Sequence, residues 1–298
     1  MTTRRLHTSF GLYASLMRLD RPVGTLLLLW PTLAALWVAA DGTPSLKLIL
    51  VFSLGVFLMR AAGCVINYYA DRHVDPHVER TADRVLASGK VSESETLALF
   101  ALLATLSLFL VLLLNTLTLW LAGAGMLIAL TYPFMKRWTY LPQVVLGAAF
   151  SWGIPMTFAA SREEVPSIAW LMFTASLLWI VAYDTLYAMV DRDDDVKIGV
   201  KSTAILFGDA DRLMVGVLQV SALVGFCLLG SHLHYSVWYF FAMLVIAGLF
   251  AYQQYLVRHR ERAAYFHAFS NNVWVGFVLF FAIVVEESIL PHLQNLSP

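Results

Sequence analysis

The sequence predicts an all-α, polytopic membrane protein, a bundle of nine transmembrane helices forming one domain over 1–298. Three observations carry that reading. Hydrophobic residues are 59% of the chain and charged residues 13%, against about 45–50% and 25% in a soluble domain. Apolar runs close to the ~20 residues that cross a bilayer recur near 23–40, 46–68, 95–114, 116–134, 141–160, 166–190, 212–231, 235–255 and 267–290. The cations between these runs alternate from side to side: seventeen of twenty Lys and Arg fall on one side, Lys47 and Arg162 on the other, and Arg60 inside a run.

Because Lys and Arg accumulate in cytoplasmic loops, the bias places the N-terminus in the cytoplasm and the C-terminus outside. A helix missed or added would scramble the alternation, so the count of nine and the charge pattern support each other. The first run follows a basic stretch and contains Trp30 and Pro31, which reads as a retained helix and not a cleaved signal. Pro31 and Pro155 fall inside runs and predict kinks. Twenty Lys and Arg balance twenty Asp and Glu, so no net charge recommends nucleic acid as a partner. Cys64 and Cys227 lie in apolar runs without metal or disulfide spacing and read as small buried hydrophobes.

Two cytoplasmic connections, 69–94 and 191–211, are long and rich in both signs of charge. The second run enters the first of them through Asn67, Asp71 and Asp75, and the sixth enters the other through Asp191 and Asp195. Positions four apart share a helix face, so each set forms an oxygen-bearing stripe, with Tyr187 one turn below Asp191. Both helices exit on the same side, which lets the stripes face each other across a cavity. Stacked carboxylates repel unless a cation lies between them, and hard oxygen donors without His or Cys favour Mg²⁺ completed by substrate phosphates. Arg72, Lys136, Arg137, Arg192, Lys197 and Lys201 at the same level offer countercharge for phosphate. The pattern describes a diphosphate site at a membrane surface.

On these residues the chain resembles the UbiA-type intramembrane prenyltransferases. The similarity runs through MRLDRPVGTLLLLWPT at 17–32, RAAGCVIN at 60–67, YPFMKR at 132–137, LPQVVLGAAF at 141–150 and YAMVDRDDDVKIGVKSTAILFG at 187–208. The last stretch is most similar to the family's hydroxybenzoate branch. The resemblance implies nine helices around a central cavity in a bacterial inner membrane, with the C-terminus periplasmic. It also implies transfer of a polyprenyl (octaprenyl-like) chain from its diphosphate to the ring carbon ortho to the hydroxyl of 4-hydroxybenzoate, in ubiquinone biosynthesis. By the same resemblance Asn67, Asp71, Asp75, Asp191 and Asp195 hold Mg²⁺, with the four aspartates catalytic, and Arg72, Lys136, Arg137, Lys197 and Lys201 contact the diphosphate.

A lipid substrate suits the composition, since an apolar tail enters a cavity open sideways to the bilayer while its charged head stays at the polar edge. Trp152, Phe158, Phe173 and Trp179 are candidates to line the tail groove. Arg60, seven residues before Asn67, lies about 10 Å deeper on the same face. A charge there needs an acceptor, either the aromatic acid's carboxylate or Asp184. The chain departs from the family pattern at Tyr68, where an Asp is usual, at Val85 and Ala87, where prolines are usual, and at Leu186 in place of Gln. Tyr68 is rotated about 100° from the Asn67 stripe and should lie beside it. Two alternatives are a catalytically weakened member with an assembly role and a transporter, which would hold its charges nearer the bilayer midplane.

Overall fold

A computed structural model describes residues 11–73 and 83–294; Asp75 lies outside the described residues. Among the described residues, nine long helical segments follow the nine apolar runs. They are α1 (Val23–Ala39), α2 (Leu46–Asp71), α3 (Glu93–Val111), α4 (Thr116–Trp138), the broken pair α5 (Pro142–Ser151) and α6 (Gly153–Arg162), α7 (Ser167–Ile198), α9 (Asp211–His232), α10 (Val237–Leu256) and α11 (Arg262–Val284). Short helices α8 (Thr203–Phe207) and α12 (Leu290–Gln294) complete the set. Eight segments, counting α5 with α6 as one, are long and apolar enough to cross a membrane. The exception is α1, whose 17 residues span about 25 Å at 1.5 Å per residue.

Local chemistry sets the helix ends. Ser45 and Asn115 accept from the backbone N–H three residues on, and Ser92 with Glu95 forms a reciprocal cap at the start of α3. Each cap satisfies amides that an apolar surrounding would leave unpaired. Pro155 lacks an N–H and its ring collides with the carbonyl four residues back, so the fifth span breaks at Trp152, between α5 and α6. The expected kink at Pro155 is therefore a full interruption, whereas α1 runs through Pro31.

The sixth span does not stop near 190. It continues through the charged segment to Ile198 and ends on Gly199 in the left-handed conformation, φ 71°, a backbone state glycine adopts without a Cβ clash. Arg262 ties this extension to the start of α11 by pairing with Asp193 and Asp194, both at 3.3 Å. Asp191 and Asp195 thus stand on a rigid helix and not in a loop.

The bundle is organised around α7, which packs on α9, α5 and α11, while α1 packs on α11, α6 and α2. Amide side chains join the helices: Trp179 donates to Asn272 at 2.8 Å, Gln219 to Gln253 at 2.7 Å and Gln253 to Asn271 at 2.9 Å. Such bonds hold helices together where hydrophobicity alone cannot, because lipid is as apolar as leucine. By contrast α3 and α4 bury few residues and expose Leu102, Phe109, Trp120 and Leu127, as outer walls against lipid do.

At the end opposite the aspartate stripes, a π-helical turn follows α11. Its Glu286 accepts from the Ser236 and Tyr239 amides at 2.9 and 3.2 Å, capping α10. Glu287 of the same turn accepts from the Tyr235 hydroxyl.

Candidate active site

A cavity of about 1100 Å³ opens among α1 to α7 and α11. One end is polar, lined by Arg18, Asn67, Lys136, Asp191, Asp195 and Lys201, and the rest is largely apolar, lined by Val51, Phe52, Val56, Leu108, Val111 and Met126. Arg60, Asp184 and Tyr187 line the stretch between. Helices α2 and α7, which carry the two stripes, both face this space.

The first stripe divides. Asn67 faces the cavity, while Asp71, one turn on, is 3% exposed and accepts from Lys136 Nζ at 2.5 Å. Its other oxygen, Oδ1, is buried without a hydrogen-bond partner among the described residues. Lys136 reaches between Asp71 and the cavity, so it both neutralises the buried carboxylate and presents charge to a ligand. Lys201 is brought to the same place by its backbone N–H, which donates to the Lys136 carbonyl at 2.9 Å, and its Nζ donates to the Trp138 carbonyl at 3.3 Å.

Several cations expected to meet a diphosphate are committed elsewhere. Arg72 follows the last residue of α2, so its side chain folds back over the Tyr69 ring, 4.1 Å from the centroid, and pairs with Glu93 at 2.9 Å. Arg137 is turned about 100° from Lys136; it donates to the Ala70 carbonyl and lies over Phe134. Lys197 pairs with Asp194 one turn back at 3.3 Å, its side chain 73% exposed. Arg192 joins Arg260 in holding the buried Asp211, at 3.0 and 3.1 Å. None of these four lines the cavity. Of the tail-groove candidates Trp152 lines it, whereas Phe158 and Trp179 are fully buried in the core and Phe173 packs against that core.

Two further cations, Arg18 and Arg84, line the cavity without a motif in the sequence to mark them. Tyr68 brings them in: its hydroxyl accepts from Arg18 Nε at 3.2 Å, and both guanidinium carbons lie near its ring, 5.5 and 5.0 Å from the centroid. A neutral aromatic face holds cations without cancelling their charge. Pairing on the helix surface between the basic N-terminal segment and the 83–90 stretch leaves no periodic signal, so only the departure at position 68 marked the place.

Arg60 lies deeper. Its Nη1 donates to Cys64 Sγ, its Nε is buried without a hydrogen-bond partner among the described residues, and it forms no ion pair with Asp184. The facing residue on α1 is Gly24. A Cβ added there would collide with both Nε and Nη2, so only glycine at 24 lets α1 pack against that edge of the guanidinium.

For a cation, the cavity's polar end supplies oxygen only: the Asn67 amide and the Asp191 and Asp195 carboxylates, while Asp71 lies outside the cavity lining with its Oδ1 buried. Among the described residues no three His, Cys, Asp or Glu side chains group closely enough to hold a metal alone. The donor set fits a hard divalent ion that completes its shell with water and substrate oxygens. Asp75 cannot be placed in this set, being outside the described residues.

The fold and this site together define a multi-pass helical membrane protein with a buried, lipid-level cavity capped by carboxylates and cations. The model of the UbiA prenyltransferase family matches residues 28–284, and the chain belongs to that family. It is 57% identical over 275 residues to a 4-hydroxybenzoate octaprenyltransferase of Coxiella burnetii, covering 92% of this chain and 96% of that protein. A protein of the same name from Ectopseudomonas mendocina is 54% identical over 288 residues, covering 97% of each. Among solved structures, a UbiA homologue from Aeropyrum pernix shares the fold with a TM-score of 0.77 at 24% identity, over 87% of this chain and 97% of that one. A UbiA homologue from Archaeoglobus fulgidus bound to GPP and Mg²⁺ shares it with a TM-score of 0.71 at 18% identity, over 92% and 99%.

Proposed function

We propose that this chain is a Mg²⁺-dependent aromatic prenyltransferase of the bacterial inner membrane. It transfers an octaprenyl chain from its diphosphate to the carbon ortho to the hydroxyl of 4-hydroxybenzoate, in ubiquinone biosynthesis, with residues 1–298 acting as one catalytic domain. The carrying observation is the two-part cavity: oxygen donors and cations at one end, an apolar gallery beyond. That division matches an amphiphile with an anionic head and a hydrocarbon tail, and its relatives of the same length bear the name of this activity.

Each group then has a task. Asn67, Asp71, Asp191 and Asp195, with Asp75, would hold Mg²⁺, which supplies Lewis acidity to the departing diphosphate. Lys136 and Lys201 balance the phosphate charge from within the cavity, and the Tyr187 ring flanks the allylic end. Val51, Phe52 and Met126 accept the tail without water. Arg60 takes the aromatic acid's carboxylate, which turns the ring's hydroxyl end away from that helix. With the polar end cytoplasmic, both anionic substrates enter from the side where the cations gather.

The test is the full chain purified into lipid nanodiscs with octaprenyl diphosphate and 4-hydroxybenzoate. Prenylated hydroxybenzoate is expected with Mg²⁺, and chelation should abolish it; no product from folded protein supplied with both substrates and metal would overturn the reading.

Arg18 provides a second measurement. Arg18→Gln removes the guanidinium that lines the cavity beside Tyr68. Losing a charge-assisted hydrogen bond, about 1.5–3 kcal/mol, is expected to raise KM for the prenyl diphosphate by about tenfold or more. Tyr68→Phe keeps the ring beside Arg18 and loses a single hydroxyl acceptor, so its effect should stay within about threefold. Indistinguishable KM values for the two variants would show that Arg18 does not reach the diphosphate.

A further inference from the structure

The structure assigns Asp184 a catalytic role that rests on the reading above: its carboxylate takes the proton the aromatic ring gives up when the new carbon–carbon bond forms.

Asp184 lies on α7 seven residues before Asp191, about 10 Å deeper along the helix. It lines the same cavity as Arg60, which stands seven residues before Asn67 on α2. The two opposite charges therefore sit at matched depth beneath the two stripes. Among the described residues Asp184 has no hydrogen bond or ion pair, and the groups whose charge acts on it are Arg60 from α2, Tyr132 from α4 and its own neighbour Tyr183.

That isolation is unusual in this molecule. Asp71 is held by Lys136 and Asp211 by two arginines, as the cost of burying a lone charge demands. A carboxylate without a hydrogen-bonded partner inside a membrane-spanning helix is expensive and marks a functional group. Nor does Arg60 satisfy it, although both face one space. The unpaired arrangement leaves the Arg60 fork to the substrate's carboxylate and Asp184 to a different part of the substrate. In 4-hydroxybenzoate the hydroxyl, and the reacting carbon beside it, lie at the ring end away from the carboxylate.

The step balances with groups already present. The prenyl C1–O bond breaks with its electron pair going to the diphosphate, and the ring carbon ortho to the hydroxyl bonds to C1. That carbon then carries both the prenyl group and its original hydrogen. An oxygen of Asp184 takes the proton, and the C–H electron pair restores the aromatic sextet. The proton passes on to water as the product leaves.

The experiment compares Asp184→Asn, Asp184→Glu and the unaltered full chain in nanodiscs, with 4-hydroxybenzoate and with the same acid deuterated at both ring positions ortho to the hydroxyl. Loss of a positioned base is expected to lower kcat of Asp184→Asn by about 10²–10⁴-fold while both KM values stay within about threefold. Deuteration, nearly silent in the unaltered chain, should slow Asp184→Asn measurably because proton loss then limits turnover, and Asp184→Glu should recover part of the rate. Full kcat in Asp184→Asn, a loss without the isotope effect, or a selective rise in KM for the acid would overturn the assignment. Should Asp184→Asn fail to insert, Asp184→Glu decides: a displaced but present base predicts an isotope effect there, and its absence refutes the role. Failure of the unaltered chain to prenylate hydroxybenzoate at all would instead strike the functional reading.

Discussion

Asp191→Ala is expected to lower Mg²⁺-dependent turnover by about 10³-fold with the chain still inserted and folded, since metal-assisted departure of a leaving group contributes several kcal/mol. Asp195→Ala should do nearly the same. Both side chains line the polar end of the cavity on a stretch of α7 fixed by Gly199 and by Arg262. A joint hold on one ion, as proposed, predicts a double variant far short of the product of the single effects. Asp71→Ala differs in kind. It also removes the buried partner of Lys136, whose ammonium reaches the cavity, so its thermal unfolding temperature should drop as well. Initial rates over a magnesium series, alongside thermal unfolding, read both effects. Near-normal turnover in the Asp191→Ala/Asp195→Ala double variant would remove these residues from the site.

Much of this organisation is legible in the sequence because lipid imposes it. A bilayer permits only helices of adequate apolar length, so each of the nine runs falls on a helical segment among the described residues, although the sixth extends to Ile198 and α1 alone is short. The stripes are legible because four-residue spacing fixes a shared face: Asn67, Asp191 and Asp195 do share one cavity. What spacing does not reveal is whether a neighbouring residue outbids a ligand for a side chain. Arg72 turns to Glu93, Arg137 to a carbonyl and Lys197 to Asp194, each a local partner that satisfies the cation at the membrane surface. Depth is likewise ambiguous in one dimension. Trp152 and Trp179 look alike in the sequence, yet a proline-induced break puts the first in the cavity wall and an Asn272 hydrogen bond fixes the second in the core. The Arg18–Tyr68–Arg84 arrangement joins three separate segments, so no periodic pattern encodes it.

Arg60→Ala is expected to raise KM for 4-hydroxybenzoate by about 10²-fold, the equivalent of a bidentate, charge-assisted contact of about 2.7 kcal/mol, while KM for the prenyl diphosphate stays nearly constant. Arg60→Lys keeps the charge and loses the planar fork, so it should show a smaller rise for the same substrate. A change on a different helix makes the inference independent of altering the arginine itself. Gly24 packs its Cα against the Arg60 Nε–Nη2 edge, and a Cβ there would collide with both atoms. Gly24→Ala must therefore push the guanidinium aside, and it should reproduce the selective rise in KM with the charge of Arg60 intact. The two substrates separate this role from a structural one: an arginine that merely braces α1 against α2 would, when disturbed, weaken binding of both. Equal increases for the acid and for the diphosphate, in Arg60→Ala and Gly24→Ala alike, would assign Arg60 to the architecture of the cavity and leave the carboxylate to another residue.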